Sequence, residues 1–128
     1  MNESAHIQAI NKKVRAAGVY VLKIQTMMNN GVPDCFYSGL KDYLFVEYKY
    51  ISDKALPKRE DTPIKPMLTD LQFDWLINRG NEGRNVAVII GSNIGWAIYP
   101  IWDRPIFKKE LNMTRNDVVA WIIQQTSV

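Results

Sequence analysis

GVPDCFYSGLKDYLFVEYKY, residues 31–50, is the stretch that decides how this chain folds. Pro33 holds Val32 in an extended conformation, and Asp34, Cys35, Phe36 and Tyr37 continue as a strand. Ser38 and Gly39, with Lys41 and Asp42 beyond them, turn the chain back. Residues 43–51 predict a further strand whose apolar centre requires burial on at least one face. Side chains alternate across a strand, so Tyr43, Phe45, Glu47 and Lys49 share one face while Leu44, Val46 and Tyr48 share the other. Glu47 and Lys49 therefore point the same way, about 6.6 Å apart along the strand. A hairpin through residues 38–42 brings Asp34 close to Glu47.

Upstream, Ile7, Ile10, Val14 and Ala17 recur at helical spacing and Gly18 sits where a helix ends, which predicts a helix over 3–17. Glu3 extends the inward stripe by one turn. It either favours the positive end of the helix dipole or points into a site. Residues 19–24 are β-rich and predict a strand. Downstream, residues 52–68 form a polar connection punctuated by Pro57, Pro63 and Pro66, long enough to be functional or mobile. Thr69 to Gln72 reads as a capping box, with Leu68 and Phe73 placed as a hydrophobic staple, opening a helix to about Arg79. The nearly all-apolar run 85–91 predicts a central strand covered on both faces. Residues 96–100 predict another strand, and Thr114 caps a last helix that packs through Val118, Val119, Trp121, Ile122 and Ile123. The expected fold is α/β: one domain with a single mixed sheet flanked by helices, its core over 3–99 and an extension from 100 to 128.

The bulk composition bounds the function. At 128 residues the chain can bury one core without staples. Its single cysteine, Cys35, builds no disulfide framework, and the polar start and lack of a long apolar run lead to the expectation of a soluble, cytoplasmic protein with no membrane partner. One histidine and one cysteine cannot build a zinc site, and Cys35 has no histidine arrangement to make it a nucleophile. The formal charge of +3 is mild. If Glu3, Asp34 and Glu47 face a metal, the rest of the chain carries +6, a balance suited to phosphate contacts.

Two carboxylates on paired strands with a lysine on the same face suit Mg²⁺ and a phosphate. Mg²⁺ takes oxygen ligands and is commonly held by one or two carboxylates plus substrate phosphate oxygens. Asp34 and Glu47 would supply the carboxylates and the Tyr48 carbonyl a further oxygen. Lys49 could orient or activate water and offset transition-state charge. Helix one could deliver Glu3 to the same place. The simpler alternative for Glu47 and Lys49 is a surface ion pair, worth little.

Pro33-Asp34 followed by Glu47-Tyr48-Lys49 resembles the motif of PD-(D/E)XK nucleases. The likeness extends through Gly31-Val32-Pro33-Asp34, Phe45-Val46-Glu47-Tyr48-Lys49 and Gln72 with Trp75, and over about residues 3–91 it is similar to the VRR-NUC and Holliday-junction-resolvase-like branch. The resemblance implies a restriction-endonuclease-like αβββαβ core and Mg²⁺- or Mn²⁺-dependent hydrolysis of DNA by a metal-activated water. It implies that Asp34 and Glu47 are metal ligands, Lys49 the catalytic lysine and Gln72 the supporting glutamine, with Glu3 at the helix-one acid position. Lys23 stands where many such small nucleases, common in bacteriophages, keep a lysine.

Other assignments compete with these. The competing readings take Gln72 as completing the capping box alone, Lys23 as an exposed strand lysine, and His6 as structural. Lys54, Lys58 and Arg59 make the 52–68 segment either a flap contacting nucleic acid or a surface insertion. Trp75, Trp96 and Trp121 read as packing, with Trp102 as the exception considered for base stacking. The expected activity is an endonuclease acting on branched or nicked DNA, against a catalytically inactive binding module of the same fold or a sequence-specific enzyme. A four-way junction substrate would call for a homodimer, with the helix around Val118, Trp121 and Ile123 as its expected face.

Overall fold

A computed structural model describes residues 2–24, 31–65, 68–100 and 104–127. Helix α1 spans Glu3–Ala16, and strands β1 (Tyr20–Lys23), β2 (Cys35–Ser38) and β3 (Tyr43–Ile51) follow. Helix α2 (Asp70–Asn81) leads into β4 (Val86–Ser92) and β5 (Trp96–Tyr99), and α3 (Arg115–Ser127) closes the order. Among the described residues the five strands form one sheet in the order β1-β2-β3-β4-β5. Only β3 and β4 run parallel, joined by the α2 crossover; the other neighbours are antiparallel. The fold is therefore α/β with a mixed sheet, as the order of elements requires.

Helices α1 and α3 cover one face. Ile7, Ile10 and Val14 from α1 and Val118 and Ile122 from α3 pack there with Tyr37, Val46, Tyr48 and Ile89. On the opposite face, Leu76 of α2 joins Ile51, Val88 and Ile90, with Ile64 and Ile106 from the connecting segments. Strand β4 is sealed on both sides, which explains its unbroken apolar run.

The register of β2 against β3 carries the hairpin expectation. Cys35 pairs with Val46 and Phe36 with Phe45, so the next position sets Asp34 opposite Glu47. The turn that fixes this register is held from outside the hairpin. Gly39 N–H donates to the Asp42 carbonyl (3.0 Å), and the Lys41 and Asp42 amides both donate to the Thr126 carbonyl near the end of α3, at 2.8 and 3.0 Å. A side chain at Gly39 would strike Thr126 and Ser127, so α3 seats directly on the turn.

One expectation needs correction here. The apolar residues assigned to a dimer face are spent inside the chain: Val118, Val119 and Ile122 are buried against α1 and the sheet, and Trp121 and Ile123 are partly buried on the same core. A lone amphipathic stripe looked over-supplied only because its partner α1 is distant in sequence. The 52–65 segment runs over the surface, exposed for most of its length, but is anchored near its end. Ile64 exchanges two backbone hydrogen bonds with Ile106, at 2.7 and 3.0 Å, and both side chains are buried. Trp102 lies outside the described residues.

Gly31 shows how tightly the strand approach is fitted. Its φ of 80° favours glycine, and a Cβ there would meet the Leu71 carbonyl and the Gln72 amide at the start of α2. Gly18 has a similar φ of 89° but faces open space. Gly18→Ala should therefore cost only the left-handed backbone penalty, about 1–2 kcal/mol. Gly31→Ala should cost clearly more, because α2 must also shift. Urea denaturation of the two variants measures the difference; equal losses would show that the Gly31–α2 contact has no energetic weight.

Candidate active site

The site forms where β2 stops and β3 continues. Pro33 stands next in register opposite Tyr48 and has no N–H to donate, so the ladder cannot extend there. The Tyr48 N–H instead donates to Asp34 Oδ2 at 2.9 Å. In an antiparallel strand the N–H and C=O of one residue point to the same side. The Tyr48 carbonyl thus faces the Asp34 side as well.

Glu47 is a charged residue in an interior position, 2% exposed. Its Oε2 accepts from Gln72 Nε2 at 3.2 Å and lies 3.4 Å from Lys49 Nζ. Its Oε1 is buried with no hydrogen-bond partner among the described residues. Burial, followed by the nearby charge of Asp34, pushes the Glu47 carboxyl up to about 8, against the pull of Lys49. The Asp34 carboxyl is also raised by burial, with the Tyr48 N–H, Lys49 and Lys23 opposing.

Glu3 reaches this group from the first turn of α1. Burial and the Asp34 charge raise its carboxyl, while Lys49, the Tyr50 backbone N–H and Lys23 act in the other direction. Lys23, exposed on β1, belongs to the same electrostatic cluster. Among the described residues, however, no three His, Cys, Asp or Glu side chains converge closely enough to hold a metal by themselves. Asp34 and Glu47 form the close pair; Glu3 stands behind them.

Gln72 resolves an either-or of the sequence reading. Thr69 Oγ1 accepts from the Gln72 amide (3.2 Å) and Gln72 Oε1 accepts from the Thr69 amide (3.0 Å), completing the capping box. Its remaining end, Nε2, donates to Glu47. The cap fixes the side chain so that its amine points at the carboxylate.

A buried polar chain that the sequence reading missed lies beneath the site. Tyr48 and Tyr37 hydroxyls meet at 2.6 Å, and Tyr37 donates to Asn11 Oδ1 at 2.6 Å. Asn11 Nδ2 reaches Cys35 Sγ at 3.7 Å. The signal was present: Asn11 stands four residues after Ile7 on the inward stripe of α1, and a buried amide needs partners. Burial raises the Cys35 thiol, in keeping with a core role.

Other assigned residues lie apart. His6 stacks on Tyr50 (4.8 Å between centroids) and its Nδ1 lies 3.2 Å from Arg115 Nη1. Lys54, Lys58 and Arg59 are exposed, and Arg59 pairs with Asp61 at 2.9 Å. Trp75 packs at the rim, as expected: it is half-buried, with Phe45 on one side (5.2 Å) and the Arg79 guanidinium over its ring at 5.7 Å.

No protein-family model matches the sequence, and no match to a curated protein is found. Solved structures do match. A Holliday junction resolvase, Hjc, from the archaeal hyperthermophile Archaeoglobus fulgidus superposes with a TM-score of 0.57 at 14% identity, over 91% of this chain and 98% of its own. A structure described as a VRR-NUC domain is 25% identical over 70% of this chain and 84% of its own, with a TM-score of 0.49. The chain shares the resolvase's fold, in line with the sequence resemblance.

The raised carboxyls have a consequence for stability. Glu47 titrates near 8 when folded, against 4.5 as its ordinary value. Between those values the folded chain holds a proton that the unfolded chain has released, so stability falls as pH rises through the window. Asp34 acts with the same sign. In chelator, the free energy of unfolding should fall between pH 5 and 8 by at most about 1.4 kcal/mol per pH unit for each such proton. Glu47→Gln should flatten the slope. A slope unchanged in this variant would contradict the assignment.

Proposed function

We propose that this protein is a metal-dependent endonuclease that hydrolyses DNA phosphodiester bonds in branched or nicked DNA. The observation carrying this reading is the pair Asp34 and Glu47, with Lys49 on the same face and Glu47 Oε1 buried without a hydrogen-bond partner among the described residues. Uncompensated buried carboxylate oxygen is costly, and a hard divalent cation is the ligand that relieves it. The donor set is all oxygen, which fits Mg²⁺ or Mn²⁺. Asp34, Glu47 and the Tyr48 carbonyl would hold the cation, with Glu3 close enough to act through water.

When bound, the cation supplies Lewis acidity toward a phosphate oxygen and lowers the pKa of a water. This chain's residues do the rest. Gln72 holds the Glu47 carboxylate in one orientation, the service that outer hydrogen bonds give metal-binding carboxylates. Lys49 places an ammonium beside Glu47, where it can orient the attacking water and offset charge developing on the phosphate. Lys23, at the exposed rim, and the basic Lys54, Lys58 and Arg59 would contact the DNA backbone. The fold shared with a Holliday junction resolvase supports branched DNA as substrate. Cutting a four-way junction at two equivalent strands would require a homodimer.

Cleavage of nicked, flapped and four-way-junction oligonucleotides, with Mg²⁺ or Mn²⁺ and with chelator, tests the proposal. Wild type should cut only with the cation. Asp34→Ala and Lys49→Ala should each lose at least about a hundredfold in rate, and Gln72→Ala about 10–100-fold. A wild type inactive on every substrate, or activity indifferent to Asp34→Ala and Lys49→Ala, would refute it.

A further inference from the structure

The sheet face that carries Glu47 and Lys49 is not fully roofed. Helix α2 lies over β4 and lends Trp75 to Phe45, but the β1–β2 end of the same face stays open. There Tyr20 is 60% and Leu22 47% exposed. Behind them Phe36 packs on Phe45 and Tyr43, with centroids 5.0 and 6.1 Å apart. Trp75, Arg79 and Arg84 wall an open cavity of about 440 Å³ above this aromatic floor. That volume is within the range of small-ligand pockets.

The walls combine two chemistries. The floor offers ring faces and edges of Phe36, Tyr43 and Phe45. The rim offers two guanidinium groups. Arg79 lies over the Trp75 ring and 3.1 Å from Glu82 at Nε, while the exposed Arg84 donates to the Tyr43 hydroxyl at 3.3 Å. Phe45 stands two positions before Glu47 on β3, so cavity and carboxylates are about 6.6 Å apart along one strand. An aromatic floor rimmed by cations is how proteins take up unpaired nucleotides: bases stack, and arginines meet the backbone.

We infer that this cavity receives an unpaired base next to the scissile phosphate, so that the preferred substrate carries a single-stranded nucleotide or short flap at the cut site. The occupant is single-stranded nucleic acid rather than protein, because the apolar floor is bounded by arginines and runs directly into the proposed phosphate site. This deepens the endonuclease reading and rests on it for the position of the scissile phosphate.

Binding of labelled duplexes with and without a short single-stranded flap tests it, measured by fluorescence anisotropy in chelator at fixed salt. Wild type should bind the flapped form more tightly. Trp75→Leu, which keeps apolar bulk but removes the indole, should weaken flap binding about tenfold and leave duplex binding nearly unchanged. Arg84 is exposed, so Arg84→Ala keeps the fold and decides the matter if Trp75→Leu does not fold. A fall of about threefold or more in flap preference in either folded variant sustains the inference. It fails if wild type shows no preference or if neither folded variant lowers it. It fails equally if sedimentation shows that the face is covered by a second copy released by either variant. Because no cleavage is required, a wild type that prefers flaps but never cuts removes the nuclease reading alone. One that cuts without a Trp75- or Arg84-dependent preference removes the base site alone.

Discussion

Two carboxylates, Asp34 and Glu47, are forced together at the point where an antiparallel ladder ends. Left alone, that arrangement opposes folding: burial raises both groups, and the charge of Asp34 helps drive Glu47 to about 8. A one-residue slip of β2 on β3 would abolish the conflict by turning Asp34 to the opposite face. The chain instead holds the register from several directions. The Thr126 carbonyl at the end of α3 grips the hairpin turn, Gly31 fits against the first turn of α2, and the Tyr48–Tyr37–Asn11 chain locks the underside. On the proposed reading, a costly feature held with this much support serves function rather than stability.

The partial compensation is equally informative. Lys49 and Gln72 both address Oε2 of Glu47, and the Tyr48 amide addresses one oxygen of Asp34. Among the described residues, Oε1 of Glu47 is left without a hydrogen-bond partner. A purely structural ion pair would have enlisted both oxygens of the buried group. The same strand that carries this charge cluster also carries Phe45 and Tyr43, so the charged groups and the aromatic floor lie on one surface.

Much of this was legible in the sequence because it depends on short-range periodicity. The alternation through residues 43–51 put Glu47 and Lys49 on one face, and the turn residues at 38–42 placed Asp34 beside them. Thr69 and Gln72 announced their cap. What the sequence did not reveal depends on contacts between distant residues. That Gln72 could both cap and orient follows from where α2 lands. The surplus hydrophobicity of α3 is absorbed by α1, where Ile7, Ile10 and Val14, more than a hundred positions earlier, pack with Val118 and Ile122. The 52–65 segment is pinned by the Ile64–Ile106 pair, and Trp75 becomes a groove wall only because β1 and β2 extend past the cover of α2.

The central claim is that Glu47 keeps an oxygen in reserve for a divalent cation, and proton release on binding measures it most directly. A carboxyl near 8 is largely protonated at pH 7, and a cation that takes it as a ligand must displace that proton. Calorimetric titration with Mn²⁺ at pH 7, in buffers of different ionisation enthalpy, reports the protons released. Wild type should release a substantial fraction of one proton for each cation bound at the site, falling toward zero above about pH 9. Glu47→Gln should lose both the binding and the release. Mn²⁺ binding that is as strong and as proton-neutral in Glu47→Gln as in wild type would contradict the account.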